Sequence, residues 1–189
     1  MEDILCGFKP KCEQEEVDSK IAKKYHEMFG DVWTRENELC HLTSSAFIVN
    51  EDFTKVLVIH HNIYNSWAWV GGHADGDHDL LHVALKETME ETGLELNQIK
   101  VLEKEPVTFE FLPVTSHIKR GKYIPAHIHM NVAFLFQSNE SNNIRILEDE
   151  NSNIMWMTFE DFVAKSKEPH MLPIYKKLID YINKNYKNK

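Results

Sequence analysis

Apolar residues recur along this chain first at helical and later at strand spacing. In EQEEVDSKIAKKYHEMF, residues 13 to 29, Val17, Ile21, Tyr25 and Met28 fall at three- and four-residue intervals and predict an amphipathic helix. HLTSSAFIVN and KVLVIHH, separated by Glu51 and Asp52, have the composition of paired strands, and NSWAWVGGH is a further short strand ending in two glycines. After residue 94 come a strand near 99 to 103, then VTFEFLPV, HIHMNVAFLFQ and IMWMT, all rich in β-formers. Between the last two lie the polar loop SNESNN, the segment NIRIL and the acidic LEDENSN. Thr158 followed by Asp161 resembles a capping box that opens a short helix, and the chain closes on a helix whose stripe is Tyr175, Leu178, Ile179, Ile182 and Tyr186. Strands flanked by a middle helix and terminal helices imply an α/β sandwich with a mixed sheet.

A length of 189 residues suits one domain, and 42% hydrophobic with 11% aromatic residues is a globular composition. The predicted organisation is a single domain over 1–189, with 1–39 a helical N-terminal extension and 170–187 a C-terminal helix. A net charge of −9 repels nucleic acid and anionic membrane, so neither is an expected partner. No apolar stretch is long enough for a membrane span, and the N-terminus lacks the basic and apolar regions of a signal peptide. Cys6, Cys12 and Cys40 form no CxxC pair and read as reduced thiols of a cytoplasmic protein. Cys40, directly before His41, reads as a small buried thiol near a core histidine rather than as a fragment of a metal site.

Chemistry concentrates in GGHADGDHDLLHVALKETMEETGL, residues 71 to 94. Asp77 or Asp79 can cap the helix that follows, where a carboxylate meets unpaired amides and the positive end of the dipole. Leu81, Ala84, Leu85 and Thr88 define a buried face, and Gly93 stands where a left-handed C-cap belongs. Glu87, Glu90 and Glu91 converge on one patch with only Lys86 beside them. Uncompensated pairs at these spacings destabilise a helix by roughly 0.2–0.5 kcal/mol each. A divalent cation is the simplest missing countercharge, and oxygen-only ligands select Mg²⁺ or Mn²⁺. The Gly71-Gly72 pair would let a backbone carbonyl approach the same ion.

This stretch resembles the Nudix box: Gly, five residues, Glu, seven residues, Arg-Glu, an aliphatic, any residue, Glu-Glu, any residue, Gly, an aliphatic. Counted from Gly72, Glu87, Glu90, Glu91, Gly93 and Leu94 fall in register, whereas His78 stands at the first glutamate, Lys86 at the arginine and Thr88 at an aliphatic. With HLTSSAFIV and HIHMNV, the box looks like that of a bacterial Nudix subgroup of unassigned substrate. The resemblance implies metal-dependent hydrolysis of a diphosphate linkage in a nucleoside diphosphate joined to another moiety. It also implies Glu87, Glu90, Glu91 and the Gly71 carbonyl as metal ligands, with Lys86 tethering a glutamate. Dimers are common in the family, and residues 1–39 offer a contact for a homodimer.

Further candidates lie outside the helix. In the acidic segment with Glu148 and Asp149, Glu150 is the candidate for an auxiliary ligand or the base that deprotonates water. Glu110 faces either a cleft or solvent. His127, His129 and Asn131 share one face of their strand, and with His73, next to Gly72, the two histidines are candidates for substrate contact. Arg120, between Lys119 and Lys122 in TSHIKRGKYIPAH, is the candidate for gripping phosphate from a loop. His78 and His82 are spaced as a zinc-binding pair would be, without an evident third ligand. Two other functions fit the same fold: a non-catalytic nucleotide-binding or interaction module, favoured by His78 and Lys86, and an isomerase with a histidine-rich metal site, disfavoured because no cysteine lies on the strands beside the box.

Overall fold

The computed structural model of the protein describes residues 3–119, 121–146 and 151–187. The class is α/β, as the sequence pattern predicts. Two compact units can be distinguished. The first gathers the chain up to Ser45 with Gly71–Ala84 and Lys104–Phe134; the second comprises Ala46–Val70, Leu85–Glu103 and the chain from Leu135 onward.

In the first unit, α1 (Glu13–Phe29) carries Glu13, Glu15 and Glu16 in its first turn, where they complement the dipole. It stops at Gly30, whose φ of 73° suits a residue without a Cβ. The helix does not bury the stripe its periodicity singles out. Val17, Ile21 and Met28 are exposed, while Glu15, Ser19 and Ala22 are buried. The reason lies in what the helix meets, β6 (Thr108–Val114), whose backbone carbonyls need donors. Lys11 Nζ donates to the Val107 carbonyl at 2.8 Å, Gln14 Nε2 to that of Phe109 at 3.3 Å, and the Thr108 hydroxyl to Glu15 Oε1 at 2.8 Å. Polar residues must therefore face inward. Glu110 is buried as well, its Oε1 2.6 Å from the same hydroxyl, so it does not face solvent.

Strand β6 pairs antiparallel with β9 (His127–Gln137) from Thr108↔Ala133 to Val114↔His127. Between them β7 (His117–Lys119) and β8 (Lys122–Ile124) form a hairpin, so the basic run expected to be a loop is largely a β-ribbon. Arg120 lies outside the described residues. Strand β1 (Cys40–Val49) neighbours β9 and β4 (Val70–His73). Gly71 and Gly72 thus sit in a strand, not in a turn. A Cβ on Gly71 would lie 2.8 Å from both the Ser44 carbonyl oxygen and Ser45 Cα, so only glycine permits this approach of β4 to β1.

The second unit is built on β2 (Lys55–His61), flanked by β10 (Asn151–Thr158) and by β3 (Ser66–Ala68). β2 and β10 pair antiparallel from Asn151↔His61 to Thr158↔Lys55, with one irregularity between Asn151 and Asn153. Strand β5 (Lys100–Val101) adds to the end of β9. Helix α3 (Phe159–Lys165) starts as the sequence predicts, with the Asp161 amide donating to the Thr158 hydroxyl at 3.1 Å. Helix α4 (Leu172–Ile182) buries Ile174, Tyr175, Leu178 and Ile182, while Ile179 is only half-buried. Tyr175 packs edge-on to Trp69 and against Phe162, with ring centroids 5.4 and 4.4 Å away. Burying one such ring contributes roughly 1.5–3 kcal/mol. Among the described residues no helix is long and apolar enough to cross a membrane.

Candidate active site

Helix α2 (Leu80–Thr92) is entered through a tightly determined turn. Asp75 and Gly76 have φ of 48° and 89°, and Arg35 grips Asp75 through two hydrogen bonds of 2.7 Å. Asp79 is the cap, accepting from the His82 amide at 3.0 Å. Asp77 accepts from the Asp79 amide and pairs with His82 Nδ1 at 2.7 Å; these bonds hold its carboxyl below the ordinary range, the His82 contact foremost. His78 lies flat on Trp33, centroids 4.2 Å apart at 11°. Asp75 and Asp77 are thereby both engaged, and His78 and His82 turn to different partners rather than to a shared ion.

Further along α2 the burial pattern differs from the expected one. Leu80, Val83, Ala84 and Thr88 are buried, whereas Leu81 and Leu85 are only half-buried. This stripe continues at i+7 from Ala84 to Glu91, which is 5% exposed, and i+7 from Leu80 to the half-buried Glu87. Two of the three glutamates therefore project along the inward face. Glu91 Oε1 accepts a hydrogen bond of 3.0 Å from Asn151 Nδ2, which is itself buried. Asn151 was not singled out from the sequence, because an asparagine sixty residues away carries no local signal. Glu90 is exposed, and Lys86 Nζ forms ion pairs with Glu87 at 3.9 Å and Glu90 at 4.0 Å, longer than hydrogen bonds. Gly93, with φ 69°, donates to the Met89 carbonyl and ends the helix. Glu148, Asp149 and Glu150 lie outside the described residues. The carboxylates present a hard oxygen donor set, one member buried and held by a neutral amide, and that chemistry fits Mg²⁺ or Mn²⁺.

The first unit holds the predicted histidines. Along β1, His41, Thr43 and Ser45 alternate toward β9, where Asn131 Oδ1 accepts from the Thr43 and Ser45 hydroxyls, both at 2.9 Å. The polar face of β9 is thus turned inward. At its open end, His127, His129 and His73 are joined by His41, read from the sequence as a core histidine. His41 lies 5.1 Å, centroid to centroid, from both His127 and His129 and 5.2 Å from His73, while His73 lies 4.9 Å from His129. Burial pushes His73 down to about 3 and His129 to about 2, with Arg35 and His73 the leading charges against them, and burial also lowers His41. His73 and His129 are therefore neutral at pH 7. Among the described residues, the potential ligands drawn within 4.8 Å of one another are His41, His127 and His129, not the glutamates.

The sequence profile of the NUDIX domain matches residues 39–178, from just before β1 into α4. The chain belongs to the Nudix family. The matched domain leaves α1 outside. A search among curated proteins found no match. Solved structures with the same Nudix fold include a C. elegans Ap4A hydrolase binary complex, with TM-score 0.57 and 18% identity over 76% of this chain and 98% of that one. A NUDIX-family hydrolase from Clostridium perfringens superposes with TM-score 0.56 at 18% identity, over 75% of this chain and 97% of that one. The E. coli dihydroneopterin triphosphate pyrophosphohydrolase gives 0.56 at 14% identity, over 80% and 99%.

Proposed function

We propose that this Nudix hydrolase cleaves a diphosphate linkage in a nucleoside diphosphate derivative with Mg²⁺ or Mn²⁺, using Glu87, Glu90 and Glu91 together with Glu150 and the Gly71 carbonyl. The observation that carries the reading is Glu91: a carboxylate in register with the box, on the buried stripe of α2, whose Oε1 accepts from Asn151 Nδ2. The neighbours point the same way, since the C. elegans and E. coli enzymes are named for an Ap4A substrate and a pterin triphosphate, both phosphoanhydrides. When bound, the cation supplies Lewis acidity and neutralises charge on the phosphates. Asn151 fixes the orientation of Glu91, and Lys86, paired with Glu87 and Glu90, brings positive charge toward the anion. Three free cysteines, Cys6, Cys12 and Cys40, support a reducing, cytoplasmic setting.

The reading is tested with a panel of dinucleoside polyphosphates, nucleotide sugars, ADP-ribose and nucleoside triphosphates, each with Mg²⁺ or Mn²⁺, followed by product mass. Cleavage between phosphorus atoms of at least one member supports it. The stacking of His78 on Trp33, where the box has its first glutamate, favours a binding module instead. That module would bind a panel member and turn over none.

A further inference from the structure

The histidines of the first unit pose a protonation problem of their own. His41 is 4% exposed, its Nδ1 lies 2.8 Å from the Asn37 carbonyl oxygen, and its Nε2 has no hydrogen-bond partner. A carbonyl only accepts, so Nδ1 carries the proton and Nε2 presents a bare lone pair. His127 repeats the arrangement, with Nδ1 2.8 Å from the Pro125 carbonyl oxygen and Nε2 left as an acceptor. That Nε2 is 3.0 Å from Nε2 of His129. Leaving a buried acceptor unpaired, as at His41 Nε2, is costly, whereas His127 Nε2 has its hydrogen-bond partner in His129 Nε2.

A cation satisfies all three nitrogens at once. With metal–nitrogen distances of about 2.0–2.1 Å, nitrogens in a tetrahedral site stand roughly 3.3 Å apart, close to the 3.0 Å between His127 Nε2 and His129 Nε2, and the ligand atom of His41 lies within 4.8 Å of both. Carbonyls behind Nδ1 of His41 and His127 are the partners that fix a ligating imidazole's tautomer and direction. We propose that His41, His127 and His129 form a binding site for a zinc-type divalent cation, coordinated through Nε2 with water in the fourth position, and built from residues other than the carboxylates of α2. Imidazole suits Zn²⁺, Co²⁺, Ni²⁺ or Cu²⁺ and is a poor donor for Mg²⁺. The position rests on neighbouring strands rather than on a loop, and His73, packed edge-on to His129, closes one side. The inference does not depend on the hydrolase reading, since it concerns other residues.

The test uses the full chain, stripped with a chelator and titrated with Co²⁺ and then Zn²⁺. The expected result is one Co²⁺ per chain with the strong visible absorption of four-coordinate cobalt, displaced by one equivalent of Zn²⁺. The Glu87→Gln, Glu90→Gln, Glu91→Gln triple variant should keep that signal. His127→Ala, at a half-exposed position, and His41→Ala should each weaken Zn²⁺ binding by at least about 100-fold, with circular dichroism confirming the fold. Should the buried His41→Ala variant fail to fold, His127→Ala alone decides. Equal Zn²⁺ affinity in folded His127→Ala and wild type, an absent four-coordinate cobalt spectrum, or loss of the signal in the glutamate variant would each overturn the assignment.

Discussion

Replacing Glu91 by glutamine changes charge with almost no change in shape, and so separates chemistry from packing. In the wild type, Glu91 Oε1 accepts from Asn151 Nδ2 at 3.0 Å in a buried setting. The glutamine carbonyl can accept the same bond. A hydrogen bond to a charged group contributes about 1.5–3 kcal/mol and a neutral one about 0.5–1.5 kcal/mol, so folding should lose roughly 1 kcal/mol. Part of that is offset, because a buried carboxylate no longer has to be desolvated. For a chain of this size, 1 kcal/mol is a Tm shift of about 2–4 °C. Turnover should fall by at least about 100-fold, which is a barrier increase of roughly 2.7 kcal/mol. Scanning calorimetry and single-turnover cleavage of the best panel substrate measure both quantities on one preparation. Near-wild-type turnover would show that the charge of Glu91 is not used in the reaction. A Tm drop far beyond 4 °C would show that it is spent on the fold.

Other perturbations have equally definite outcomes. Gly71→Ala forces a methyl group against the Ser44 carbonyl and Ser45 Cα, and the resulting overpacking should cost about 1–3 kcal/mol, read as a lower urea midpoint at unchanged m. Thr158→Ala removes the N-cap of α3 and should cost about 1 kcal/mol in the same assay, without changing turnover. Glu140 bonds Lys55 at 2.6 Å and Asn50 at 2.8 Å, and the Lys55 contact foremost holds its pKa below the ordinary 4.5. Its contribution is present above pH 4.5 and lost as pH falls through the lowered folded value. Glu140→Gln should therefore be less stable than wild type at pH 7 and indistinguishable from it once that value is passed, by urea midpoints at the two pH values.

Spacing alone placed the three glutamates on one helix and revealed little of what surrounds them. Glu87, Glu90 and Glu91 are close in the chain, so helical geometry places them, and the caps at Asp79 and Gly93 obey local rules. The two-residue alternation of β9 was equally legible, but which way its polar face turns was not. That depends on β1, whose own alternation of His41, Thr43 and Ser45 becomes meaningful only once the strands are known to be neighbours. Asn151 was missed for the same reason of sequence distance. The stripe of α1 misleads for a different cause: periodicity reports which residues are apolar, whereas the carbonyls of the β6 segment required donors.

The flat seating of His78 on Trp33 has a practical corollary for anyone wishing to reinstate the missing acid of the box. An engineered glutamate there would not be a simple reversion, since it would remove the imidazole stacked on the Trp33 indole, one of the contacts between the Asp31–Arg35 stretch and the helix entrance. Gains or losses in rate from such a variant would mix two causes. A companion replacement of Trp33 alone is the control that separates them.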